Sequence, residues 1–193
     1  MAPVALITGA ARRIGADIAR AFHTRDFRVL IHYRNSAEEA EALARSLNEA
    51  RADSAATLCA DLDDPAQVRA LAEAAAGHWQ RLDVLVNNAS TFYATPLGTA
   101  DDADWDRLMG SNLRAPFILT QALAPALEQT NGAIINLADV YAERPLWQHG
   151  LYSMAKAGLV SLTRSSAREL GPAVRVNAVA PGPILWPEQE PDL

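Results

Sequence analysis

Tyr152 and Lys156 stand four residues apart in Tyr152-Ser153-Met154-Ala155-Lys156, a spacing that puts phenol and ammonium on one face of a helix. A free tyrosine titrates near ~10, too high for proton exchange in both directions at neutral pH. A lysine charge nearby favours the phenolate and lowers that value, so the pair is expected to act as a catalytic acid and base. Asp139 stands thirteen residues before the tyrosine. Its carboxylate accepts hydrogen bonds and donates one only when protonated.

A second set of residues, near the start of the chain, reads as an anion site. Thr8-Gly9-Ala10-Ala11-Arg12-Arg13-Ile14-Gly15 follows the apolar run Val4-Ala5-Leu6-Ile7 and opens a helix. Gly9 at the strand end allows a tight turn, Gly15 at the helix start lets backbone approach a pyrophosphate, and the helix N-terminus supplies free N–H groups. The next strand ends His32-Tyr33-Arg34-Asn35-Ser36, without the Asp or Glu that accepts from the ribose 2′-OH in NAD-binding domains. Arg34 instead offers charge-assisted bonds to a 2′-phosphate, Ser36 adds a hydroxyl and a helix-start N–H, and Arg12 contributes from the neighbouring turn. The cofactor expected is NADPH/NADP+; a basic loop without a cofactor role is the alternative.

These residues need a scaffold that brings strand ends together. Short apolar runs alternate with helical patterns throughout: strands at Val4–Ile7, Arg28–Tyr33, Ala55–Ala60, Val84–Val86, Ala133–Leu137 and Val174–Val179. Helices are expected from Ile14 to His23, Ser36 (with Glu39 completing a capping box) to Ala50, Pro65 to Trp79, Ala103 to Glu128 with a bend near Pro116, and Leu151 to Leu170. Strands separated by helices predict one α/β domain over residues 1–193, a Rossmann-type doubly wound parallel sheet of order 3-2-1-4-5-6 with helices on both faces. The proline-rich stretch from Pro181 to Leu193 reads as a loop.

Composition narrows the partners. The 193 residues are half apolar and about a fifth charged, with a formal charge of −6, so no global basic field attracts nucleic acid or an anionic membrane. Cys59 is the only cysteine, which rules out an intrachain disulfide. With no signal-peptide pattern and no apolar run approaching the ~18 residues of a membrane span, a cytoplasmic protein is expected. No metal site is expected.

In this order the motifs resemble the short-chain dehydrogenase/reductase family from Thr8 to Gly182. The turn at Thr8–Gly15 resembles its Thr-Gly-x-x-x-Gly-x-Gly, with Arg13 at the middle glycine's position. The resemblance implies that Asp61 and Leu62 line the adenine, that Asn88, Ala89 and Ser90 line the cofactor, and that Pro181-Gly182 turns near the nicotinamide. It also implies that Asn112 helps hold Lys156 through a water, and that Tyr152 and Lys156 contact the cofactor.

Asp139 replaces the family's usual serine. An aspartate there, an arginine at position 13, a serine at position 90 and a phenylalanine at position 92 resemble the pteridine reductases. That implies a pterin or folate substrate bound by Arg13, Ser90, Phe92, Asp139 and Tyr152. Tyr152 would donate the proton, with Asp139 assisting and Lys156 tuning. The resemblance further implies a homotetramer built on the two longest helices. Family members usually continue past Pro181-Gly182 with a substrate-covering segment and a seventh strand, which this chain is expected to lack. A carbonyl or 3-oxoacyl-thioester reductase and a noncatalytic NADPH-binding or assembly protein are the alternatives.

Overall fold

The structure, a computed structural model, describes residues 1–182. Its core is a six-stranded parallel sheet of order β3-β2-β1-β4-β5-β6, built from β1 Val4–Ile7, β2 Arg28–Tyr33, β3 Ala55–Cys59, β4 Val84–Asn87, β5 Ala133–Leu137 and β6 Arg175–Val179. The central strands are continuous apolar runs because both of their faces are covered. In β1, Val4 and Leu6 face one core while Ala5 and Ile7 face the other. On the first face lie α3 (Pro65–His78), α5 (Ala115–Thr130) and α6 (Gly150–Leu170), through residues such as Val68, Leu71, Leu119, Leu123 and Leu170. On the second lie α1 (Arg13–His23) and α2 (Ala37–Ala50), through Ala16, Ala19, Leu43 and Leu47. The register pairs Ile7 with Ile31 and Val86, so the strands end at a common level and their exits converge.

Two local expectations need correction. Ser36 precedes α2 but makes no side-chain capping bond, and Glu39 forms an ion pair with Arg12 at 3.3 Å, so the expected capping box does not form. A capping box does start α4 (Asp102–Met109), from Asp101 and Asp104. Secondly, the single helix expected from Ala103 to Glu128 is interrupted. Between α4 and α5 the chain makes a π-helical turn over Gly110–Arg114, in which the Ala115 N–H reaches back five residues to the Gly110 carbonyl. Pro116, in the first turn of α5, has no N–H to offer the Asn112 carbonyl, which favours a wider turn over a simple bend. The resulting bulge carries Asn112.

The proline-rich loop expected from Pro181 onward lies, beyond Gly182, outside the described residues. Among the described residues no helix is long and apolar enough to cross a membrane.

Helix α1 can meet the end of β1 only because residue 15 lacks a side chain. A Cβ there would stand 2.2 Å from the Gly9 carbonyl oxygen and 2.8 Å from the Ala10 Cα, both backbone atoms that cannot rotate away. Gly15→Ala should therefore cost ~2 kcal/mol or more in urea unfolding. Gly77→Ala, where a Cβ would meet nothing within 4 Å, should be neutral or gain up to ~1 kcal/mol. Equal midpoints for the two variants would contradict this packing.

Candidate functional site

Where β1 and β4 end, their exits are tied together. Thr8 Oγ1 accepts from the Asn88 and Ala89 N–H groups at 2.9 and 3.0 Å, and Asn88 Nδ2 donates to the Thr8 and Gly9 carbonyls at 2.8 and 3.1 Å. Gly9 takes φ +62°, a left-handed conformation that favours glycine. Its N–H donates to His32 Nδ1 at 3.0 Å, and His32 Nε2 donates to the Ala60 carbonyl at 3.1 Å. This ring is therefore the neutral Nε2–H tautomer. Burial holds its pKa down, to about 4, against the opposing pull of the Ala60 bond and Asp61.

Above these strand ends opens a cleft of about 440 Å³. Of the residues expected to hold a cofactor, Gly9, Arg12, Arg13, Ile14, Gly15, Tyr33, Arg34, Asn35, Ser36, Leu62, Asn88, Ala89 and Ser90 line it. Asp61 does not line it but lies 3.4 Å from Arg34, which does. The Pro181 carbonyl accepts from the Val140 N–H at 3.3 Å, which puts the Pro181-Gly182 turn against the residue after Asp139. Arg13 sits at φ 53°, strained for a residue with a side chain, where the expected pattern has glycine. The cleft suits a dinucleotide: glycines in the turn, a helix N-terminus beside it and Arg12, Arg13 and Arg34 in its lining.

Tyr152 and Lys156, also expected to touch the cofactor, do not line this cleft; with Asp139 and Asn112 they meet next to it, beside its wall residue Ser90. The Tyr152 hydroxyl, on α6, donates to Asp139 Oδ2 at 2.7 Å. Asp139 follows β5 and caps the 3-10 turn Val140–Ala142, its Oδ1 accepting from the Tyr141 N–H at 3.0 Å. Lys156 Nζ, almost fully buried, donates to the Leu137 carbonyl at 2.8 Å and lies 5.6 Å from the centre of the Tyr152 ring. Burial lowers the Lys156 pKa to about 8, partly opposed by the Asp139 charge.

The expectation that Lys156 lowers the tyrosine's pKa is not met. Burial first, and then the hydrogen bond and charge of Asp139, push the Tyr152 phenol well above its ordinary value. A phenol that donates to a carboxylate is held in its neutral form, and the lysine charge is spent on a backbone carbonyl rather than on the hydroxyl.

Asn112 projects from the π-helical turn. It accepts from Ser90 Oγ at 2.7 Å and donates to the Thr91 and Leu108 carbonyls at 2.9 and 3.0 Å. Its partners are thus α4 and the segment after β4, whose Ser90 also sits beside the Tyr152 hydroxyl. Phe92, half-exposed, meets the Tyr152 ring in a T-shaped contact at 4.8 Å between ring centres and stacks on His149 at 4.6 Å. All four catalytic candidates and Ser90 and Phe92 therefore converge, with Arg13 on the cleft wall.

Sequence reasoning missed His32, Ala11, Asp63, Thr91 and Ser111 among the cleft's lining. A histidine inside an apolar strand run was the available signal for His32, since a buried polar ring needs partners. Among the described residues no group of three or more His, Cys, Asp or Glu is arranged to hold a metal ion.

The family model described as short chain dehydrogenase matches residues 3–191. Among individual relatives, pteridine reductase 1 of Leishmania tarentolae is 39% identical over 229 aligned residues, covering 98% of this chain and 79% of its own length. D-threitol dehydrogenase of Mycolicibacterium smegmatis is 40% identical, covering 94% of this chain and 70% of its own. A 3-oxoacyl-acyl-carrier-protein reductase of Staphylococcus aureus is 37% identical, covering 96% and 76%.

His32 gives the turn a pH signature. Its folded-state pKa, about 4, lies below the ordinary 6.5, so between those values the unfolded chain binds a proton that the folded chain does not. Stability is therefore lost as pH falls through that window, by on the order of 3 kcal/mol at pH 4. Urea unfolding should show the wild type losing that much more than His32→Gln between pH 7 and 4. Parallel acid limbs would contradict a buried neutral His32.

Proposed function

The chain belongs to the short-chain dehydrogenase family of oxidoreductases, and within it we propose that it reduces a pterin or folate, dihydro to tetrahydro form, using NADPH. The observation that carries this reading is the Tyr152 hydroxyl bonded to Asp139 at 2.7 Å, with the half-exposed Phe92 ring 4.8 Å from the Tyr152 ring. A ketone oxygen receives no hydrogen bond from an ionised carboxylate at position 139, which has no proton to give. A pterin presents N–H and amino donors, for which a carboxylate is a fitting partner, and a planar ring that would stack on Phe92 opposite His149 or in its place.

The cofactor's place is read from the cleft. Gly9 and Gly15 let a pyrophosphate approach the turn, Arg12, Arg13 and Arg34 offer positive charge, and Ser36 adds a hydroxyl. When bound, NADPH supplies the hydride. The protein's own share is the proton and the orientation. Asp139 accepts the donors of the heterocycle while its Oδ2 keeps the Tyr152 proton in line, and the pair delivers one proton to a ring nitrogen. A buried phenol held neutral is a poor donor alone, so the proton leaves through the hydrogen-bonded pair rather than from an isolated phenol. Lys156, charged below about pH 8, balances the negative charge that remains. Asn112 fixes Ser90 and Thr91 at the junction of the cofactor and substrate regions.

The name of the Leishmania relative supports the pterin reading, and those of the other two relatives show which other substrates the scaffold accommodates. The same reading includes a cytoplasmic enzyme that assembles as a homotetramer through the outward faces of α5 and α6, where Phe117 and Met154 stand half-exposed.

Asp139→Ser separates pterin from ketone chemistry. Turnover of dihydrobiopterin should fall by ~10²-fold or more, the usual scale for a positioned acid/base group, while turnover of a simple ketone is kept or rises. Unchanged pterin turnover in a folded Asp139→Ser protein would make Asp139 a bystander and return the reading to a carbonyl reductase.

A further inference from the structure

Arg34, which the NADPH reading gives to the 2′-phosphate, already has partners. Its Nη1 lies 3.2 Å from Asp63 Oδ2 and 3.4 Å from Asp61 Oδ1. Asp63 lines the cleft together with Arg34, whereas Asp61 does not. The other Asp63 oxygen, Oδ1, is buried without a hydrogen-bond partner and faces Gly110 of the π-helical turn, 3.0 Å from where a Cβ on that glycine would stand. Its backbone is held too, the Asp63 carbonyl accepting from Arg114 Nη2 at 2.8 Å. Burial and the neighbouring Asp61 charge raise the Asp63 pKa, and Arg34, Arg107 and Arg114 oppose that rise. Asp63 is thus a fixed carboxylate on the wall where a 2′-phosphate would seek the same guanidinium.

We propose that Asp63 is a specificity-determining residue that competes with the 2′-phosphate of the cofactor for Arg34, and so sets how strongly the phosphorylated cofactor is preferred. The proposal rests on the NADPH reading and deepens it. Arg34 is about half-exposed, so its ion pair with Asp63 is screened and exchangeable rather than locked. A dianionic phosphate at Arg34 must either draw the guanidinium away from Asp63 or share it with a like charge close by. An unphosphorylated ribose carries no such penalty. Asp63 therefore lowers affinity for the phosphorylated adenylate selectively, and a neutral isostere at the position raises it.

Equilibrium binding of two adenylate fragments tests this without turnover. Calorimetry with 2′,5′-ADP and 5′-AMP on the full chain gives the preference as a ratio of the two Kd values. Asp63→Asn should tighten 2′,5′-ADP by on the order of 3- to 5-fold and leave 5′-AMP within about twofold, whereas Asp63→Glu, which keeps the charge, should stay near the wild-type ratio. In an Arg34→Ala background the Asp63→Asn change should move the ratio by less than about twofold, because no guanidinium is left to release.

A wild-type protein that binds both fragments equally, with no loss on Arg34→Ala, would overturn the 2′-phosphate reading itself. A wild type that prefers 2′,5′-ADP through Arg34, yet shows an unchanged or smaller ratio in Asp63→Asn, would overturn the role of Asp63 alone. A gain of undiminished size in the Arg34→Ala background would overturn competition for Arg34.

Discussion

The hydrogen bond from Tyr152 to Asp139 is the contact on which the site depends. It joins the exit of β5 to the first turn of α6, and together with burial it holds the Tyr152 phenol protonated. With Asp139 as acceptor the phenol stays protonated, so the tyrosine works as one half of a proton-holding pair. Lys156, buried one helical turn further along, is held by the Leu137 carbonyl two residues before Asp139. Strand end, acid, phenol and ammonium therefore form one rigid unit, with each backbone contact limiting where the next side chain can be.

The rest of the fold keeps a cleft open against that unit. Thr8 and Asn88 tie the exits of β1 and β4 together, and His32 holds the Gly9 turn from the side of β2. The π-helical turn between α4 and α5 displaces Asn112 toward Ser90 and Thr91, at the boundary between the two regions. Packing fixes the turn in place: a Cβ at residue 158 on α6 would come within 2.7 Å of Leu113 Cδ2, so the helix that carries Tyr152 lies closely on the bulge. A local irregularity in one helix thereby positions Ser90 and Thr91, where the proposed cofactor and substrate regions would meet.

Much of this was legible in the sequence because its signals are strong and local. The strands β1, β4 and β5 read directly from runs buried on both faces, and their order follows from right-handed crossovers between them. The convergence of Tyr152, Asp139, Ser90, Phe92 and Asn112 could be expected from motif order, since strand ends meet at one edge. What escaped depends on tertiary competition. Ser36 and Glu39 have the types of a capping box, but Glu39 is taken by Arg12 at the start of α1. Tyr152 and Lys156 have the spacing of a phenolate pair, but a carbonyl claims the ammonium and a carboxylate claims the hydroxyl. Pro116 announced a break in the helix without revealing that the break is a π-helical turn centred on the asparagine.

The central claim is that this site passes a hydride and a proton to a pterin ring. NADPH deuterated at nicotinamide C4, incubated with the protein and an equimolar mixture of dihydrobiopterin and an acetoacetyl thioester, tests it most directly. The account predicts deuterium on the ring of tetrahydrobiopterin, read by NMR and mass spectrometry, with the thioester largely unreacted. Deuterium in the hydroxyacyl product, with the pterin unlabelled, would contradict it.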